Sequence, residues 1–341
     1  MVMIKLQEAK MKAIFTRTIA LLMVLLLAMT SFTACIVPND GEGDEEKMLD
    51  GKKVIFIGNS FIHYGHTVLP IGQEYLTQES RVGDKGFFYQ LCLENGENVE
   101  VTNFCFGGHR LRHFYSGSCA ADRGCDGVDH FSYITDKYYD YVCISASGSE
   151  ECEENFMADM EYMMNFFKEA NPNVKFVYLN HHYAHGISSS SGRRVQTKIL
   201  ADLKTLEEMG VIIVDWGRIV KDCIDAGKIE GGSMVCDQNT FVIRKSESDG
   251  YHENQLSGYI TAVMTYCAIT GKRAVDMPYE FCGNHIVNES YNSLKYILKN
   301  YTYNGATTNY TEILKSEEEM TALRKMIDKY LEEKPYLNYT E

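Results

Sequence analysis

The sequence predicts an α/β protein with a parallel β-sheet between two layers of helices. Its strand-like segments contain short apolar runs without polar alternation, such as residues 54–57, which is typical of strands buried on both faces. Segments with helical spacing separate these runs, so right-handed β-α-β crossovers are expected. We therefore predict a three-layer α/β/α sandwich with a five-stranded parallel sheet.

Five segments fit the strand pattern, and helical segments lie between and after them. The predicted strands cover residues 53–57, 98–104, 141–145, 174–179 and 211–214. The predicted helices cover residues 67–80, 84–95, 153–170, 192–209, 219–226, 254–270 and 316–333. Residues 109–128 are expected to form a long loop, 129–137 a helix or turn, and 228–247 an irregular segment.

The N-terminus has the features of an export signal. Four basic residues precede or begin an apolar run that ends near Met29 and is too short to span a membrane comfortably. Residues 32–35 resemble a bacterial lipobox, so residues 1–34 are predicted to be a lipoprotein signal peptide and Cys35 the lipidated residue. The resemblance implies an exported bacterial lipoprotein of the cell envelope or surface. A signal peptide without lipidation, or a retained anchor, remains an alternative.

Composition divides the remaining chain into three parts. Residues 35–50 are acidic and lack periodicity, which predicts a flexible tether. Residues 51–287 contain the strands and form the predicted main domain, and residues 288–341 form a predicted helical C-terminal extension packed on the core. The net charge of −14 argues against binding to nucleic acid, and contact with a membrane is expected only through the N-terminal lipid.

The 11 cysteines suggest no metal site from their spacing. The sequence contains no Cys-x-x-Cys pair, so a zinc ribbon is not expected. Cys119 and Cys125 flank a short loop segment and either form a local disulfide or remain reduced. Four others lie in apolar segments and are expected to be buried thiols: Cys92, Cys105, Cys143 and Cys267.

The first strand ends in Gly58-Asn59-Ser60. In open α/β sheets, ligands bind outside the carboxyl ends of the strands, so Ser60 lies where chemistry is expected. The alternative is a simple turn, because glycine and asparagine tolerate left-handed backbone conformations and serine caps helices.

A second motif, Asp249-Gly250-Tyr251-His252, lies just before the last helix of the predicted core. A carboxylate and an imidazole three residues apart on a turn can form the base and its orienting group in a serine hydrolase. The alternative is an aspartate helix cap beside an exposed histidine. The order serine, aspartate, histidine along the chain, with Gly107-Gly108 after the second strand, favours the catalytic interpretation.

Together these motifs resemble blocks one, two and five of the SGNH (GDSL-like) hydrolase superfamily. The resemblance spans roughly residues 52–275 and implies a flavodoxin-like fold and ester hydrolysis through an acyl-serine intermediate. It implies that Ser60 is the nucleophile, His252 the base and Asp249 the group that orients it. No cofactor and no metal ion are expected.

The same resemblance implies an oxyanion hole and a substrate cleft. Backbone N–H groups of Ser60 and Gly108, or Gly107, would be two of the donors. Residues 145–151 contain no asparagine or glutamine for a third donor, so the Ser147 hydroxyl is assigned to that role, with Ser149 or Asn59 as alternatives. Substrate contacts are expected from four side chains: Asn59, His63, His109 and His182.

Histidines also cluster after the fourth strand, at His181, His182 and His185. A metal site, a substrate contact and a surface loop are all open interpretations of this cluster. The aromatic-rich loops and tail offer tyrosines that could stack on sugars: Tyr115, Tyr133, Tyr138, Tyr139, Tyr291 and Tyr301.

The sequence therefore predicts a secreted, lipid-anchored serine esterase that hydrolyses small acyl esters, acetyl esters on glycans in particular. The missing amide in residues 145–151 leaves open an alternative, a surface lipoprotein of the same fold that binds glycans with little or no catalysis. The partner in either case is a small-molecule or glycan ester, and the sequence does not indicate an oligomeric state.

Overall fold

The computed structural model describes ten parts of the chain. These are residues 47–63, 87–106, 109–116, 129–146, 155–181, 200–241, 255–278, 301–303, 306–308 and 317–337. The predicted signal peptide, Cys35 and most of the tether lie outside these residues, as do Cys119 and Cys125. In the part that is described, no helix combines the length and the apolar character needed to cross a membrane.

The core is a five-stranded parallel sheet in the order β2-β1-β3-β4-β5. The strands are β1 (Lys53–Gly58), β2 (Glu100–Cys105), β3 (Tyr141–Ile144), β4 (Lys175–Leu179) and β5 (Ile212–Val214). All four pairings are parallel. This order is that of flavodoxin-like sheets, so the predicted fold class is confirmed.

Each face of the sheet packs against its own layer of helices. Val54 and Phe56 of β1 belong to one apolar core, whereas Ile55 and Ile57 belong to the other, because successive side chains of a strand point to opposite faces. All four side chains are fully buried. The continuous apolar sequence of β1 follows from this burial on both sides.

The helices divide between the two cores. Their bounds are α1 (Ser60–His63), α2 (Phe87–Glu94), α3 (His113–Ser116), α4 (Phe156–Lys168), α5 (described over residues 200–208), α6 (Trp216–Ala226), α7 (Gln238–Phe241), α8 (Gln255–Thr270) and α9 (Glu317–Glu333). Helices α2, α6, α8 and α9 contribute to the first core, and α3, α4 and α5 to the second. Short 3-10 turns cover His130–Tyr133, Ala274–Asp276 and Pro335–Leu337.

Several sequence-based assignments were wrong in detail. The predicted loop over residues 109–128 contains helix α3, which begins where the Arg110 N–H donates to Nδ1 of His113 at 3.1 Å. The segment 228–247, expected to be irregular, contains the single helical turn α7. The tail contains a two-stranded antiparallel sheet of β6 (Tyr301–Tyr303) and β7 (Ala306–Thr308), in strands too short for a periodic signal.

The buried cysteines match the expectation. Cys92, Cys105, Cys143 and Cys267 are buried free thiols. Two further buried thiols, Cys223 and Cys236, lie in and after α6. All six therefore fill apolar space as small side chains.

The C-terminal helix α9 packs on the first core and is tied to the loop after α6 by one carboxylate. Glu319, 7% exposed, accepts hydrogen bonds from the backbone N–H groups of Ser233 and Met234 and from the Ser233 hydroxyl. A Cβ on Gly232 would collide with the Glu319 carboxylate, so a larger residue there would displace this carboxylate from its hydrogen bonds. The predicted domain bounds at 51, 287 and 288 stay predictions.

The Glu319 carboxylate is expected to make folding stability depend on pH. Burial opposes its charged form, but the hydrogen bonds from Ser233 and Met234 outweigh this and lower its pKa. The unfolded chain therefore binds more protons, and the carboxylate's contribution is complete above about pH 4.3 and is lost as the pH falls through the folded-state pKa.

We expect Glu319→Gln to lower the free energy of unfolding by about 1–2 kcal/mol at pH 7, because charge-assisted hydrogen bonds are stronger than neutral ones. Urea unfolding at pH 7 and at pH 3 measures this, and the difference from wild type should shrink at the lower pH. The exposed neighbour Glu318 supplies the control, Glu318→Gln. A loss that is the same at both pH values, or equal in the control, contradicts the prediction.

Candidate functional site

The candidate site lies where β1 and β3 are adjacent in the sheet although β2 separates them in the sequence. This is the topological switch point of the fold, where crevices form at the carboxyl ends of strands. Ser60 begins helix α1 directly after β1, and Ser145 follows β3. A Cβ on Gly58 would lie 3.0 Å from the Ser145 carbonyl oxygen, so glycine lets the two chain segments approach each other here.

Asn59 fixes the turn that carries Ser60. Its side chain is 1% exposed; Nδ2 donates to the His109 carbonyl at 3.2 Å, and Oδ1 accepts from the Phe61 N–H at 3.1 Å. One amide therefore joins the end of β1, the start of α1 and the segment after β2. Both the Nδ2 and the Oδ1 atoms of Asn59 are therefore hydrogen-bonded within the protein.

The segment after β2 is anchored by buried aromatic and imidazole rings. The His109 ring, 4% exposed, lies 5.2 Å from Phe106 and 5.0 Å from His130 between ring centroids, and Phe106 stacks on His130 at 4.5 Å. His113 lies beside His109 at 5.8 Å. The ring of His109 therefore packs within the protein, while its carbonyl oxygen binds Asn59.

A fourth buried histidine, His181, contacts the residue that follows Ser60 in helix α1. His181 follows β4 and is fully buried, with Nδ1 3.3 Å from the Ser145 hydroxyl oxygen. Its ring stacks on Phe61, the residue after Ser60, with centroids 4.3 Å apart and planes inclined by 19°. Through these two contacts, His181 connects the ends of β3 and β4 to the helix that starts at Ser60.

The first turn of helix α6 lies in close contact with the backbone of His181. A Cβ on Gly217 would lie 2.8 Å from the His181 carbonyl carbon, and the Gly217 N–H donates to the Asn180 carbonyl at 3.1 Å. The Asn180 side chain donates to Oδ1 of Asp215 at 2.7 Å. These contacts hold His181 in place and explain why α6 starts at Trp216, earlier than the predicted residue 219.

The cysteines near the site are poor nucleophiles. Burial raises the pKa of the Cys105 and Cys143 thiols, so both stay protonated at neutral pH. Among the side chains that the structure describes, no group of three or more histidine, cysteine or acidic residues is arranged to hold a metal ion.

The structure describes only part of the predicted site. Asn59 and His109 are joined by a hydrogen bond, and the backbones of Ser60 and His63 lie in α1. The remaining predicted site residues lie outside the described part of the chain: Gly107, Gly108, Ser147, His182, Asp249 and His252, together with the side chains of Ser60 and His63. The predicted roles of all these residues stay predictions.

Sequence reasoning missed several residues that build this region. No sequence pattern singles out Asn180, Asp215 or Trp216. Polar residues after strands are common, and the hydrogen bond between Asn180 and Asp215 joins two different elements, so no local spacing indicates it. His181 was grouped with His182 and His185 by proximity in sequence. Its position two residues after the buried end of β4 was the available signal that it differs from the other two.

Comparisons with known proteins give only distant structural similarities. No protein-family model matches the sequence, and no curated protein matches it. A DUF4886 family protein from Bacteroides uniformis is similar over 82% of this chain and 94% of its own, with 14% identity and a TM-score of 0.48. The acetylxylan esterase Axe2 from Geobacillus stearothermophilus is similar over 67% and 97%, with 14% identity and a TM-score of 0.45.

A protein described as a GDSL-like lipase, from Parabacteroides merdae, is similar over 65% of this chain and 96% of its own, with 13% identity and a TM-score of 0.42. At these identities and TM-scores the similarities carry no argument about activity. The fold of this chain rests on its own strand order and register.

We expect Asn59→Ala to lower the free energy of unfolding by about 1–3 kcal/mol, because it leaves the His109 carbonyl and the Phe61 N–H without their partner. Urea unfolding measures the loss. The matched control is Asn165→Ala on the exposed face of α4, which should change stability by less than about 0.5 kcal/mol. Equal effects of the two substitutions would show that Asn59 does not hold the turn.

Proposed function

We propose that this protein is a serine esterase of SGNH type that hydrolyses small acyl esters, with acetyl esters on glycans as the favoured substrates. The observation that carries the proposal is the position of Ser60. It begins a helix directly after β1, at the β1/β3 switch point, where an open parallel sheet places its binding crevice.

The order of the motifs supports a triad. A serine hydroxyl is a weak nucleophile until a base removes its proton, so Ser60 needs a nearby imidazole, and His252 precedes the core helix α8 by three residues. Asp249, three residues before His252, is the group proposed to orient it. Helix α8 packs in the first core with side chains of the sheet, so the proposed base directly precedes an element of the core.

In the proposed reaction, Ser60 Oγ attacks the ester carbonyl while His252 accepts the serine proton. His252 then gives that proton to the leaving alcohol as the carbon–oxygen bond breaks, which leaves an acyl-serine. A water molecule attacks the acyl group, again with His252 as base, and the carboxylic acid leaves as Ser60 Oγ regains the proton. Asp249 stabilises the imidazolium that forms in each half of the cycle.

The tetrahedral intermediate needs hydrogen-bond donors. Backbone N–H groups of Ser60 and Gly108, or Gly107, are the proposed donors, with the Ser147 hydroxyl in the third position. Asn59 was an alternative for that position. The hydrogen bond from the buried Asn59 amide to the His109 carbonyl supports assigning this role to Ser147 rather than to Asn59. We further propose that the protein is exported and anchored through a lipid on Cys35.

The absence of an amide side chain in residues 145–151 favours a second candidate, a glycan-binding surface lipoprotein with little catalysis. The two functions differ in the consequence of removing the Ser60 hydroxyl. Only an esterase would lose a measurable catalytic activity when this hydroxyl is removed.

The test is acetate release from p-nitrophenyl acetate by the purified protein, its Ser60→Ala variant and its His252→Ala variant. We expect each substitution to lower kcat by about 1000-fold or more, since both residues act in every proton transfer. Asp249→Asn should lower kcat while leaving KM nearly unchanged. The same rate in Ser60→Ala and wild type would reject the esterase and favour the binding protein.

A further inference from the structure

A stacked aromatic pair joins helices α3 and α4. Tyr115 in α3 and Tyr162 in α4 stack with ring centroids 3.9 Å apart and planes inclined by 23°. Tyr162 is 47% exposed. An exposed, stacked tyrosine presents a flat apolar surface that loses little conformational entropy when it binds a ligand.

A buried carboxylate holds this pair in place. Asp159, 4% exposed, accepts a hydrogen bond from the Tyr115 hydroxyl at 2.6 Å through Oδ1. Its Oδ2 accepts from Nε and Nη2 of Arg112 at 3.3 and 3.2 Å. Burial and the hydrogen bond to Asp159 raise the pKa of Tyr115, so its hydroxyl remains a donor. Both carboxylate oxygens are therefore committed to fixing the aromatic pair.

Two hydrogen-bond donors belong to the same cluster as the exposed ring, Arg112 through its contact with Asp159 and Tyr162 through its own hydroxyl. Arg112 is 31% exposed along its side chain, and within the described residues its Nη1 makes no hydrogen bond. The Tyr162 hydroxyl likewise has no partner in that part of the chain. An apolar ring face with hydrogen-bond donors in the same cluster complements a pyranose, which has an apolar C–H face and hydroxyl groups around its rim.

The position of the pair connects it to the site. Tyr115 and Arg112 belong to the short segment that starts at His109, whose carbonyl is bound by Asn59 beside Ser60. Asp159 lies in the first turn of α4, the helix that follows β3. Both chain segments therefore leave the sheet at the carboxyl edge, where the crevice is.

The charges nearby favour a neutral ligand. Asp159 neutralises Arg112, and the exposed Glu161 lies next to Tyr162 in a chain of net charge −14. A sugar acid would meet this acidic surface with unfavourable repulsion. A neutral sugar would not.

We propose that Tyr162, stacked on Tyr115 and linked through Tyr115 and Asp159 to Arg112, is a subsite that binds a neutral pyranose of a glycan chain. This deepens the proposed function and rests on it for the identity of the bound chain as an ester substrate. The subsite determines which glycan is held, whereas Ser60 and His252 determine what is cleaved.

Isothermal titration of the wild-type protein with xylohexaose, cellohexaose and mannohexaose tests the subsite. These probes carry no ester, so the result does not depend on hydrolysis, and failure of the subsite is read separately from failure of the esterase. We expect at least one of them to bind and Tyr162→Ala to weaken that binding about tenfold. Tyr162→Phe, which keeps the ring face, should weaken it by less than about threefold.

The matched control is Tyr138→Ala. Tyr138 is one of the tyrosines that the sequence alone offered for stacking on sugars, and it is 49% exposed, similar to Tyr162. It precedes β3 and so lies toward the amino edge of the sheet, whereas the candidate site lies at the carboxyl edge, so binding should be unchanged in this variant. Hexagalacturonate should bind more weakly than the neutral probes. The proposal is overturned if no neutral hexasaccharide binds, if Tyr162→Ala binds like wild type, if Tyr138→Ala weakens binding equally, or if hexagalacturonate binds as tightly.

Discussion

Burial of the parallel sheet on both faces is the constraint on which the rest of this structure depends. The four central residues of β1 are fully buried and divide alternately between two cores, so the strand offers no place for a reactive polar side chain. Buried, hydrogen-bonded polar side chains follow the ends of β1, β3 and β4, at Asn59, Ser145 and Asn180. The strand order then brings the ends of β1 and β3 together at the switch point.

The strand ends are held by contacts between elements rather than by local propensity. Asn59 joins the start of α1 to the segment after β2, and His181 joins the ends of β3 and β4 to Phe61. Glycines at 58 and 217 permit the close backbone approaches that these contacts require. The residues around Ser60 therefore depend on four strands at once, which is the kind of rigid support that a catalytic serine needs.

Much of the fold could be predicted from the sequence, because a strand buried on both faces has a continuous apolar pattern, as Val54–Ile57 does. All five strands were predicted within two residues of their ends. The hairpin at Tyr301–Thr308 escaped prediction because three-residue strands carry no periodic signal. The same reasoning identified Asn59 and His109 but could not foresee that they bind each other, or that His181 stacks on Phe61, since such contacts cross 50 or more residues of chain.

The central claim is that Ser60 is the nucleophile of an ester hydrolase. The most direct measurement is mass spectrometry of the protein after reaction with a fluorophosphonate, which forms a stable adduct with an activated serine. We expect one adduct per chain, located on the peptide that contains Ser60, and none in the His252→Ala variant. An adduct on another serine, such as Ser145, or the absence of any adduct would contradict it.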